Sequence, residues 1–168
     1  MLADIYKPEL WDSFFTMLGG GAAALTGLIF VALSLSLDDM TTDATHKYRS
    51  INTLAGLTAV FVSCGLALMP GQTHQTIGAE LFLASLIGAI VFLYGFRQAF
   101  KFKSRPSKWR LAIGGGLYLA QVLGALLLIS GSVVGLYITA AALVINVAFM
   151  ISAAWLLVVG VYRAKAER

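Results

Sequence analysis

From Leu111 to Tyr162 the chain runs for 52 residues without one charged side chain. As a single helix this run would reach about 78 Å at ~1.5 Å per residue, more than twice the ~30 Å hydrocarbon core of a bilayer. It must cross twice, and Ser130-Gly131-Ser132 supplies the break. A soluble domain would need roughly a quarter of its residues charged to cover its surface. Here 12% of 168 residues are charged and 59% are hydrophobic, with a mean hydropathy of +0.85. The expected fold is all-α: a polytopic membrane protein forming a single transmembrane domain over 1–168, with spans at about 14–37, 51–69, 77–96, 111–129 and 134–161.

Pro70-Gly71 closes the second span, and the third is interrupted only by Glu80. The fifth is long for a bilayer and is expected to tilt or protrude. Five spans leave six connecting or terminal pieces, and the alternate pieces 38–50, 97–110 and 163–168 hold eleven of the twelve Lys and Arg. Only Lys7 falls on the other side. Cations collect on cytoplasmic loops, so this alternation predicts a multi-pass membrane protein with its N-terminus outside and its C-terminus in the cytoplasm. The N-terminus does not read as a cleaved signal, because Asp4, Glu9 and Asp12 outweigh Lys7 ahead of Phe14.

Lipid tails are as apolar as Leu, so spans associate through close packing of small residues and interhelical hydrogen bonds. The first span is richest in small residues. Gly20/Ala24 and Ala23/Gly27 make it the candidate central helix or oligomer seam, and Ala84/Gly88 do the same on the third span. It shares a glycine triplet with the fourth, Gly19–Gly21 against Gly114–Gly116, which would suit an inverted repeat of two plus one plus two helices. Gln121 and Asn146 both fall near the midplane of their spans. An unsatisfied amide in hydrocarbon costs several kcal/mol, so the simple expectation is a hydrogen bond between them; the sharper one is a polar lining for a solute or ion.

Glu80 is the lone ionisable residue inside a span, and an intramembrane carboxylate is a candidate ion or proton site. Lying about one turn from the outer end of its helix, it also fits an interfacial structural role, with His74 as a partner or merely solvated. The loop carrying Arg97, Lys101, Lys103, Arg105, Lys108 and Arg110 is interleaved with Phe100, Phe102 and Trp109. Beside two spans it reads as a topology determinant that contacts anionic lipid headgroups or an acidic partner, and not as a nucleic-acid site. Asp39, Asp43 and His46 would share one helical face, a weak divalent-cation arrangement; the simpler reading has Thr41, Thr42 or Asp43 capping the second helix.

The chemistry that is missing narrows the function. Both histidines lie in loops, and one cysteine, Cys64, precludes thiolate clusters or an intrachain disulfide. There is no HExxH, and no intramembrane Asp or His to activate a serine. No enzyme activity, cofactor or metal is expected.

The stretch Phe14-Phe15-Thr16-Met17-Leu18-Gly19-Gly20-Gly21-Ala22-Ala23-Ala24-Leu25-Thr26-Gly27-Leu28-Ile29-Phe30-Val31-Ala32-Leu33-Ser34 resembles the first span of small five-span bacterial inner-membrane proteins, some labelled modulators of a membrane AAA protease. That resemblance implies a regulatory binding role in a bacterial cytoplasmic (inner) membrane, and it brings no catalytic residues. The functional expectation is a non-catalytic accessory, scaffold or regulatory subunit, acting through helix contacts in a homo-oligomer or a larger membrane complex. The alternative is a small oligomeric channel or carrier whose path is lined by Glu80, Gln121 and Asn146.

Overall fold

The computed structural model describes residues 7–34, 44–101 and 108–166. A 3-10 turn, Pro8–Leu10, precedes five α-helices: α1 Asp12–Ser34, α2 Ala44–Ala67, α3 His74–Lys101, α4 Lys108–Ile129 and α5 Val133–Ala166. All five are long and apolar enough to cross a membrane, and there is no strand among the described residues. At 34 residues, α5 extends about 51 Å and outruns a ~30 Å hydrocarbon core.

Local chemistry sets where the helices stop. α2 ends with Leu68 and Met69 donating back to the carbonyls of Cys64 and Leu66, both at 3.1 Å. Pro70 cannot continue the ladder, and Gly71 takes the left-handed turn conformation with φ 74°. Thr73 then caps α3. Its hydroxyl accepts from the Thr76 N–H at 3.3 Å, while the Thr76 hydroxyl accepts from the Thr73 N–H at 2.8 Å. This is a reciprocal capping box with threonine in place of the usual Glu or Gln.

The break in the long uncharged run is a Schellman cap. Gly131, with φ 88°, donates to the Leu128 carbonyl, and Ser132 reaches back to the Leu127 carbonyl, each at 2.9 Å. Two short turns, at 68–73 and 130–132, thus lie at one end of the molecule, the turn end. Arg97, Lys108 and Arg110 mark the opposite, basic end.

Helices α2, α3, α4 and α5 close a ring in which each packs along its chain neighbours and α5 returns to α2. α1 stands outside, packed along α2 and touching α5 mainly at the turn end. There Trp11 meets Tyr137 edge-on with ring centroids 4.8 Å apart, flanked by Phe14 and Phe15. Of the two expectations for the first span, central helix or oligomer seam, the central one fails, because α1 is the peripheral helix. It is the least buried of the five. The two glycine triplets do not occupy equivalent places either. α4 is packed between α3 and α5, whereas α1 has no comparable contact with α3.

Candidate functional site

Glycine notches hold the ring together, and each seam has at least one. A Cβ at Gly88 would stand 2.7 Å from the Tyr118 ring, and one at Gly56 would stand 2.6 Å from the Met150 methyl. A Cβ at Gly78 would lie 2.7 Å from the Ile129 side chain, one at Gly95 would overlap the Asn52 amide, and one at Gly114 would overlap the Phe92 ring. On the α4–α5 seam the backbones themselves meet. A Cβ at Gly124 would lie 2.7 Å from the Gly135 carbonyl and overlap the Thr139 hydroxyl. Such approach distances are what dispersion-driven association in lipid requires.

α1 reaches the ring by one notch, Gly19, where a Cβ would lie 2.9 Å from Cβ of the buried Cys64. Phe15, Leu18 and Ala22 complete its buried face. Gly20, Gly21 and Gly27 have open space around them, and Ala23 and Ala24 are exposed. At ~100° per residue, Gly20, Ala24, Gly27 and Val31 fall within about 60° of one another and roughly opposite Phe15, Ala22 and Ile29. The small-residue stripe singled out in the sequence therefore points away from the bundle. The intrachain contact is made by its neighbours Gly19 and Ala22. On α3, Gly88 lies in the α3–α4 seam and Ala84 is half-buried.

Inside the ring at mid-depth sits a polar cluster. Gln121 and Asn146 are 2% and 1% exposed, but they are not bonded to each other as expected. Tyr118, one turn before Gln121 on the same face of α4, brings its hydroxyl beside the Asn146 amide. Gly88 makes this possible, because the Tyr118 ring occupies the space a side chain would fill. Nε2 of Gln121 and Oδ1 of Asn146 are left with no partner, as is Oδ1 of Asn52 nearer the basic end. Tyr118 escaped the sequence reading because an aromatic in a span ordinarily reads as packing or as an interfacial anchor.

Between this cluster and the turn end, the interior is filled by fully buried Ile77, Leu81, Leu128 and Leu136. Glu80 sits at that end, half-buried, and its carboxylate accepts a short hydrogen bond from Nε2 of Gln72. Gln72, not His74, is thus its partner; the helix end positions both through the Thr73 cap. Oε1 of Gln72 is itself buried and unpaired.

At the basic end Arg97, Lys108 and Trp109 are exposed. The Arg110 guanidinium lies over the Phe149 ring, 4.9 Å from its centroid, tying α4 to α5. Lys101 closes α3; Lys103 and Arg105 lie outside the described residues, as do Asp39 and Asp43 of the acidic arrangement. No group of three His, Cys, Asp or Glu is placed to hold a metal among the described residues. No protein-family model, curated protein or solved structure matches this chain.

Proposed function

We propose that this protein is a non-catalytic accessory subunit of a bacterial cytoplasmic membrane, in which the α2–α5 ring is the anchor and α1 is the docking helix. One observation carries the reading. The Gly20/Ala24/Gly27 stripe, chemically the same as the notched seams inside the ring, faces away from the other described helices of its own chain. In lipid such a stripe gains nothing from hydrophobic burial and gains dispersion contact only against another helix. A second copy or a helix of a larger complex fits it, and the first-span resemblance to protease modulators points the same way. The basic end, with Arg97, Lys101, Lys103, Arg105, Lys108 and Arg110, faces the cytoplasm and its anionic headgroups, leaving the N-terminus outside.

The alternative, an oligomeric channel or carrier, draws on the unpaired amide atoms of Gln121 and Asn146. Against a path within one protomer stands the apolar packing of Leu81, Leu128 and Leu136 between them and the turn end. The test is cysteine cross-linking in native membranes. In a Cys64→Ala background, Gly20→Cys and Ala24→Cys should cross-link to a partner, and Ala22→Cys should not. Uniformly absent cross-links, together with ion flux in proteoliposomes, would reverse the ranking.

A further inference from the structure

We infer that the mid-depth cluster binds one water molecule between Gln121 and Asn146, accepting a hydrogen bond from the Gln121 amide and donating one to the Asn146 carbonyl. The two orphaned atoms are complementary, one donor and one acceptor, on side chains that are each at least 98% buried in the same ring interior. Measured from the turn end at ~1.5 Å per residue, Gln121 lies about 12 Å deep on α4 and Asn146 about 20 Å deep on α5. The helices are antiparallel, and Cα–Cβ bonds lean toward their own N-termini, so the Gln121 side chain leans to the basic end and that of Asn146 to the turn end. They converge. The Tyr118 hydroxyl, beside the Asn146 amide, borders the same place.

Chemistry selects the ligand. Two hydrogen bonds of ~2.9 Å through one oxygen span a donor and an acceptor about 5 Å apart. A larger polar solute would have to displace the fully buried Leu128 or Leu143. An ion finds no charged group here to offset its dehydration. Buried waters ordinarily satisfy groups of this kind. The site does not depend on how α1 docks.

X-ray radiolytic labelling of the protein in nanodiscs tests this, since hydroxyl radicals formed from a bound water mark the side chains beside it. Tyr118 should be hydroxylated at least tenfold faster than Phe15, which is equally enclosed but surrounded by apolar groups. The excess should vanish in the Gln121→Leu/Asn146→Leu double variant. A Tyr118 rate no higher than that of Phe15, or an excess that survives in the double variant, overturns the inference. If that variant does not fold, nuclear magnetic resonance of the wild type decides alone. Cross-relaxation from the Gln121 side-chain N–H to water supports the site, and cross-relaxation to Asn146 without water overturns it.

Discussion

The α4–α5 seam and the outer face of α1 are made of the same residues and end in opposite states. In the seam, Gly124 and Gly135 bring two backbones into contact, with Thr139 bonding back to the Gly135 carbonyl at 3.0 Å. On α1, Gly20 and Gly27 have open space around them and Ala24 is exposed. A helix seam in lipid is a property of two surfaces, and small residues on one of them are only half of it. Gly124 is answered by Gly135 across a tight three-residue turn; the stripe on α1 has no answer among the described residues of its own chain.

The sharpest break in the comparison is one substitution made at both places. Gly124→Leu has no room, because even a Cβ there would overlap Thr139. Overpacking of this kind should cost about 3 kcal/mol or more and deplete the folded protein. Unfolding in bicelles by steric trapping measures it. Gly20→Leu should shift that same stability by no more than about 0.5 kcal/mol, as at other positions free of contacts. If both substitutions destabilise the monomer equally, the α1 face is not free.

Gly20→Leu combined with Ala24→Leu should instead weaken assembly. A tenfold or greater loss of complex, about 1.4 kcal/mol, is expected in native mass spectrometry from mild detergent, with the monomer still folded. An unchanged assembly would move the partner surface off α1.

How much of this was legible in the sequence follows from the same physics. Helix number and turn positions were plain, since Pro70-Gly71 and Ser130-Gly131-Ser132 interrupt runs that otherwise have no charge. Helix faces were not. In a soluble bundle the buried stripe is apolar and the outer one polar; here both Phe15, buried, and Phe30, exposed, are apolar. A glycine announces that a close approach is possible, without saying which side chain fills the notch. Thus Gly19 packs while Gly20 and Gly21 do not, and Gly88 admits the Tyr118 ring, whose hydroxyl then lies beside the Asn146 amide. Glu80 was visible as an isolated carboxylate, yet Gln72 was hidden because their pairing runs through the turn that carries the Thr73 cap.

Tyr118→Phe probes the ring interior more gently. It keeps the ring in the Gly88 notch and removes the hydroxyl that lies beside the Asn146 amide. Interhelical hydrogen bonds in membranes are worth about 0.6 kcal/mol on average, so a loss of about 0.5 to 1 kcal/mol is expected by the same unfolding assay. Assembly through α1 should not change.

The smallest effect belongs to Glu80→Gln, and it separates the two functional readings most cleanly. The Gln72 amide donates to the Glu80 carboxylate; the substitution leaves an amide carbonyl to accept the same bond, weaker for want of charge. A half-exposed contact of this kind should shift stability by less than about 0.5 kcal/mol. In an accessory subunit the yield of complex and the ion permeability of proteoliposomes should both match the wild type. In a channel or carrier using this carboxylate, removing its charge takes away the one ionisable group within the spans, so flux and its pH response must fall. A variant that assembles normally but loses flux would make Glu80 a transport residue and turn the α1 stripe into the seam of a conducting oligomer.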